Sequence, residues 1–172
     1  MDAPPQEINH HHPIPLLSDL LIVQPQSTIF RDYLRSIGPI ESLLRDETKR
    51  VTVLAPTNKA TLAMTRKPHQ PAPGDEHRNG ETHVTEEQYE LERQENVRRW
   101  VSAHIIPGHP FAFEESKNYP TLLEDFSIRF RLVQQSQSTQ EGDWVVVPDI
   151  QIIEKIEGRN GILYLVNGSI LP

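Results

Sequence analysis

The chain has 172 residues and no cysteine, so any chemistry falls to histidines, carboxylates and hydroxyls. That absence excludes a disulfide framework, a thiolate zinc site, an iron–sulfur cluster and a cysteine nucleophile. His10-His11-His12 is the densest group of metal-ligand side chains. Adjacent residues cannot all turn toward one ion in a rigid site, so the tract reads as solvated, with adventitious nickel or zinc binding only. His69, Asp75, Glu76, His77 and His83 could join such a site only if their loop ordered around the ion. No resident metal and no cofactor is expected. A Ser–His–acid constellation is spatial rather than sequential, and Ser102, Ser116, Ser127 and Ser169 are available to a base such as His104. No spacing singles one out. The sequence also lacks a Gly-x-Ser-x-Gly elbow, a His-Glu-x-x-His helix and a phosphate-cradling glycine loop. His104 sits on the apolar side of a helix exit. That position suits a buried, hydrogen-bonded histidine tying helix to sheet better than it suits a catalyst. No catalytic residue is therefore assigned.

Charge and hydropathy narrow the partners. Seventeen Lys+Arg against 24 Asp+Glu give a net charge of −7, a poor match for a phosphate backbone, so no nucleic acid is expected. No apolar run approaches the ~20 residues of a membrane-spanning helix. The opening Met1-Asp2-Ala3-Pro4-Pro5 has neither the basic nor the apolar region of a secretory leader. The sequence thus reads as either a cytoplasmic protein or a processed form. Its length suits one domain.

The elements that must position these residues follow from periodicity. Residues 1–15 are Pro- and His-rich without periodicity and read as a flexible arm, leaving 16–172 as the domain. Ser18 is placed to cap a short helix carrying Leu20, Leu21 and Val23. Ile29, Phe30, Tyr33, Leu34 and Ile37 predict a second helix started by Ser27 or Thr28 and closed by Gly38-Pro39. Ile40, Leu43 and Leu44 predict a third. Val51-Thr52-Val53-Leu54 predicts a strand, after which Thr57 or Asn58 caps a helix through Ala60, Leu62 and Met64. Residues 66–83 hold no aliphatic side chain beyond alanine and proline, so they read as a surface loop insertion. Thr85-x-x-Gln88 is a capping box. Behind it Tyr89, Val97, Trp100, Val101 and His104 share one face of a long helix, with Ile105-Ile106 as its apolar exit before Pro107-Gly108. Strands follow at 126–132, 144–147, 150–156 and 162–166, with a polar turn at 134–142 and turn signals at Asn160-Gly161 and Asn167-Gly168. Helices first and strands afterwards make the class α+β.

Three segments carry a resemblance. Thr52-Val53-Leu54-Ala55-Pro56-Thr57-Asn58-Lys59-Ala60, then His104-Ile105-Ile106-Pro107-Gly108, then the run from Asn160-Gly161 to Leu171-Pro172 resemble, in order, the three boxes of a fasciclin-like domain. The resemblance implies a wedge of β-strands packed against mostly N-terminal helices. It also implies a secreted or cell-surface module of adhesion or polymer-associated proteins, with no generally established enzymatic activity. The residues agree with it as folding determinants: Pro56 fixes φ, Thr57 caps the next helix, and Asn-Gly supplies the positive φ of a tight turn. Pro56, Thr57, His104, Pro107, Gly108, Asn160 and Gly161 are accordingly expected to be structural.

Two departures bear on function. The family often has Tyr before the central His, a pair linked to adhesion, where this chain has Ala103. Pro148-Asp149-Ile150 resembles an Asp-Ile adhesion motif of some members, which marks Asp149 and Ile150 as candidate binding residues. On a plain reading Asp149 is a turn residue and Ile150 is core. Asn167-Gly168-Ser169 is the one N-glycosylation sequon, in an expected hairpin turn where a glycan fits and where Asn-Gly equally serves turn geometry. The expected function is that of a monomeric, non-enzymatic adhesion or binding module. It would recognise a protein or polysaccharide and be secreted, at the cell surface or vacuolar if a leader is removed. The alternative is an esterase-like hydrolase of cell-wall polymers using His104 and a serine.

Overall fold

The apolar runs at 51–54 and 162–166 lie side by side at the centre of one sheet. The computed structural model describes residues 13–70, 85–108, 112–134 and 143–172. The arm before residue 13, most of the expected 66–83 loop and the turn at 135–142 lie outside the described residues. Strand β1 (Val51–Pro56) pairs in parallel with β8 (Gly161–Val166), from Val51 opposite Gly161 to Pro56 opposite Val166. Every residue of both strands is buried, so both faces are covered and both read as continuous apolar runs rather than alternations. The other strands are β2 (Ile105–Pro107), β5 (Phe130–Gln134), β6 (Asp143–Val146) and β7 (Ile150–Gly158). They complete a six-stranded sheet in the order β2-β1-β8-β7-β6-β5. A separate two-stranded ribbon joins β3 (Tyr119–Pro120) to β4 (Ser127–Ile128).

Helices α1 (Leu17–Val23), α2 (Thr28–Arg35), α3 (Gly38–Arg45) and α5 (Glu86–Ala103) cover one face. There Leu17, Leu21, Phe30, Leu44 and Trp100 meet Val53, Ala55, Leu163 and Leu165. The opposite face carries a second core, in which Leu54, Ile106, Ile162, Tyr164 and Val166 meet Tyr119, Leu123, Phe130 and Ile170. Full burial of each such aliphatic side chain contributes about 2 kcal/mol, which is why the central strand pair anchors both layers. The short α4 (Asn58–Ala63) follows β1 directly.

Several local expectations change. Ser18 lies inside α1, whose N-cap position is Leu16 and which has no capping side chain of its own. Gly38-Pro39 opens α3 instead of closing α2, because proline is tolerated in a first turn where its missing N–H would lack a partner anyway. Ile105-Ile106 is not a helix exit but an edge strand, antiparallel to β1. A two-residue apolar run carries no period, so sequence cannot separate the two cases. Tyr89 is exposed, away from the buried face of α5. The strand at 126–132 breaks at Arg129 into β4 and β5. The capping box at Thr85 and Gln88 is present with both bonds formed.

Candidate functional site

The polar side chains of Thr57, Asn58, His104 and Asn160 in the boxes are consumed by the fold. Thr57 Oγ1 accepts from the Ala60 N–H at 3.2 Å and caps α4. Asn58 turns the other way: its Oδ1 accepts from the Ile29 N–H at 2.9 Å and the Thr28 hydroxyl at 3.2 Å, and its Nδ2 donates to the Pro25 carbonyl at 3.0 Å. It therefore caps α2, whose own N-cap residue Ser27 makes no side-chain cap bond. Asn160 does the same for two helices at once. It is fully buried. Its Oδ1 accepts from Leu17 N–H at 2.9 Å at the start of α1, and its Nδ2 donates to the carbonyls of Leu44 at 2.9 Å and Asp46 at 3.2 Å at the end of α3. These are the backbone groups a helix end leaves without intrahelical partners.

Positive φ is not what Asn160-Gly161 supplies. Among the described residues the positive-φ positions are Gly108, Ser116 and Asp125. Gly161 is required because a Cβ there would lie 1.8 Å from the Val51 carbonyl oxygen. Gly108, at φ +102°, ends β2 and donates its N–H to the Arg50 carbonyl at 2.8 Å. Pro107 is exposed opposite Val51, and Pro56 is buried opposite Val166.

His104 is fully buried at the C-cap of α5. Its Nδ1 donates to the Trp100 carbonyl at 2.7 Å and its Nε2 accepts from the Ile170 N–H at 3.1 Å. Those two partners require the neutral ring with its proton on Nδ1. Burial pushes its pKa down from 6.5 to about 4. Trp100 and Phe30 pack against the ring at centroid distances of 4.9 and 5.5 Å. Ser169, next to Ile170, accepts from the Trp100 indole Nε1–H at 2.8 Å. Two bonds therefore clamp the segment after β8 onto α5. A general base needs a free nitrogen within reach of the nucleophile, and His104 has neither. Ser102 is buried, and Ser116 and Ser127 are exposed elsewhere.

The other candidates lie where β7 begins and β8 ends. The side chain of Asp149 is 83% exposed in the turn between β6 and β7, where Arg131 Nη2 meets its Oδ1 at 2.8 Å. Ile150 is half-buried against the second core. A Cβ on Gly168 would lie 2.8 Å from Ile150 Cγ1, so the glycine keeps that wall clear. Asn167 follows the last strand and is not in a hairpin; its exposed carboxamide accepts from Gln151 N–H at 2.8 Å and donates to Gln151 Oε1 at 2.9 Å, holding β7. His10, His11, His12, Asp75, Glu76, His77 and His83 lie outside the described residues. Among the described residues no group of three His, Cys, Asp or Glu could hold a metal ion. His69 instead shares a hydrogen bond of 2.6 Å between its Nδ1 and the Tyr33 hydroxyl.

One large surface feature escapes sequence reasoning altogether. A groove of about 890 Å³ runs between α2, the start of α3 and α5. Ile29, Ile37, Pro39, Leu91 and Val97 give it apolar lining, and Asp32, Glu90, Arg93, Glu95 and Arg98 give it both signs of charge. Arg93 pairs with Glu90 at 2.9 Å and Arg98 with Glu95 at 2.6 Å, so these charges sit in fixed pairs along α5. Burial raises the Tyr33 pKa, with Arg93 opposing, so the phenol stays protonated beside His69. The local signal was Leu91, a large apolar side chain 60% exposed on an otherwise charged helix face.

The fasciclin domain model matches residues 25–172. The chain belongs to the fasciclin domain family. A FAS1 domain-containing protein of Emericella nidulans is 29% identical over 160 residues, covering 91% of this chain and 62% of that protein. Another from Aspergillus fumigatus is 37% identical over 97 residues, covering 56% of this chain and 42% of that protein. The chain spans less than two thirds of the length of either relative. The fold matches a FAS1 domain pair from the insect cell adhesion molecule fasciclin I at a TM-score of 0.62 and 13% identity, covering 93% of this chain and 52% of that one. Fasciclin domains are adhesion-type binding modules, often extracellular or at the cell surface. No described helix is long and apolar enough to cross a membrane. In this fasciclin domain Ala103 and His104 are both fully buried, so the pair presents nothing to a partner.

Proposed function

We propose that this fasciclin domain is a non-catalytic recognition module that holds an extended segment of a partner protein in the groove between α2 and α5. The observation that carries the reading is the composition of that groove: an aliphatic lining beside paired charges of both signs. Aliphatic side chains fit such a lining, and a polypeptide backbone with mixed charges fits its edges. A neutral polysaccharide wants open aromatic platforms, and the groove's aromatic residue, Tyr33, is already packed on His69 and Trp100. Asp149 offers a second, smaller contact, an exposed carboxylate presented by a turn that Ile150 anchors to the core. The module acts outside the cell or at its surface. His104, with both nitrogens bonded in the interior, leaves the hydrolase reading without its base.

The test is binding of the full chain to arrays of extended peptides and of glycans at low and physiological salt, with Leu91→Glu beside the native protein. Peptide binding that persists at physiological salt and weakens about tenfold in Leu91→Glu supports the reading, since a hot-spot side chain in a groove is worth that much. Binding confined to glycans, or peptide binding indifferent to Leu91→Glu, overturns it.

A further inference from the structure

Another flank of α5 carries a pocket of opposite character. Asn96, Arg99 and Trp100 look across a recess of about 470 Å³ toward α4, the segment 64–68 after it, and residues 167–172. Among the described residues its lining holds three cationic side chains, Arg66, Lys67 and Arg99, and no Asp or Glu. That is the reverse of the whole chain, in which 24 acidic residues outnumber 17 basic ones. The cations differ in how they are held. Lys67 Nζ donates to the carbonyls of Thr61, Leu62 and Met64 at 3.3, 2.6 and 2.9 Å, so its charge is fixed at the end of α4. Arg66 Nη1 donates to the Gln70 carbonyl at 3.0 Å, leaving the rest of its guanidinium uncommitted. Arg99 makes no hydrogen bond or ion pair among the described residues. The nearby carboxylate that feels Arg99, that of Glu95, is bound by Arg98 at 2.6 and 2.7 Å. A fixed ammonium, a half-committed guanidinium and an unengaged guanidinium around a concave wall form a site for an oxyanion.

The recess is too large for an oxyanion alone, and the rest of its lining is uncharged, with Ala60, Ala63, Met64, Pro68 and Leu171 giving apolar wall between a few polar side chains. The carboxamides of Asn96 and Asn167 and the hydroxyl of Ser169 line it with Trp100, each already making one or two bonds, to Gln70, Gln151 and the Trp100 indole, and keeping further donor or acceptor capacity. Carboxamides and hydroxyls pair with vicinal hydroxyl groups, and a volume of this order holds one or two sugar rings. We infer that this recess binds a sugar acid. Its carboxylate lies on the fork of Arg99 within the field of Arg66 and Lys67, and its ring hydroxyls meet Asn96 and Asn167. The site shares no lining residue with the groove under Proposed function, so neither depends on the other.

The two tryptophans make the test internal. The Trp100 indole lines the recess, while Trp144 packs against the second core on the other face of the sheet. The full chain, labelled with ¹⁵N, is titrated with D-glucuronate, with D-glucose and with inorganic sulfate while both indole resonances are followed. Glucuronate is expected to shift the Trp100 indole saturably and leave that of Trp144 in place, with glucose silent over the same range. Arg99→Gln is expected to weaken binding about tenfold and Arg66→Gln about threefold, with the affinity falling as salt is raised. Arg129→Gln, an exposed position elsewhere, serves as the control for charge alone. Three results overturn the inference: equal shifts from glucose, an affinity unchanged by Arg99→Gln, or sulfate binding as tightly as glucuronate, which means an adventitious ion only.

Discussion

Strand β7 runs between Asp149 at one end and Asn160 just beyond the other, and the two turns use their polar side chains oppositely. Asp149 holds its carboxylate in water with one ion pair, to Arg131 at 2.8 Å. Asn160 is sealed from water and bonds the start of α1 and the end of α3. Both positions read alike in sequence, as polar turn residues beside a strand. The difference teaches that a family box can look like a loop signature and act as a keystone, while an exposed carboxylate in a motif-like turn contributes little to the fold. If that division is right, substitutions should separate into large and negligible effects on stability according to which way the side chain faces.

The largest effect is expected from Asn160→Ala, which leaves the Leu17 N–H and the Leu44 carbonyl buried without partners. Unsatisfied groups of this kind cost about 1–3 kcal/mol each, so urea unfolding should show a loss of about 4 kcal/mol. A loss under about 1 kcal/mol would erase the contrast with Asp149.

Next comes acid sensitivity through His104. The unfolded imidazole takes up its proton near pH 6.5, the folded one near 4. Below 6.5 the unfolded chain therefore binds more protons. The stabilisation is complete above pH 6.5 and is lost as pH falls toward 4, by about 3 kcal/mol. Hydrogen bonds from Thr48 and Arg98 hold the carboxyls of Asp46 and Glu95 below their ordinary range, and these groups titrate alike in any comparison. Unfolding midpoints of His104→Gln should accordingly vary less between pH 7 and pH 4.5 than those of the native chain; an identical slope would show that the histidine is not the sensor.

Thr57→Ala removes one cap from the six-residue α4 and is expected to cost about 1 kcal/mol by thermal or urea unfolding. Smallest is Asp149→Ala. An exposed ion pair is worth little, and the change should stay within about 0.5 kcal/mol in urea while any loss of partner binding is read separately. A large destabilisation here would turn Asp149 into a second keystone and dissolve the comparison.

The boxes, the α+β order and the long capped helix are legible because each is written in neighbouring residues: Thr85 with Gln88, Pro56 with Thr57, the apolar run at 162–166. Asn160 and Asn58 are legible as polar turn residues and no further, because their partners stand far away in the chain at Leu17, Leu44 and Ile29. The clamp of Ser169 and Ile170 on α5 is hidden for the same reason. So are the groove and the recess, since each is a space between elements and belongs to no single segment. Leu91 and the cluster of Arg66, Lys67 and Arg99 leave only faint local traces.

The pairing of β1 with β8 also sets a schedule. Of the strands of this domain, the one that completes both cores is synthesised after all the others, while the one it pairs with is made early and must wait. Until residues 160–166 emerge, α1 and α3 lack the asparagine that joins them, and Val53 and Leu54 lack the strand that covers them. Contacts so distant in sequence slow folding and lengthen the time apolar surface is exposed. A nascent chain of this domain therefore depends on whatever shields it during synthesis more than a bundle of local contacts does.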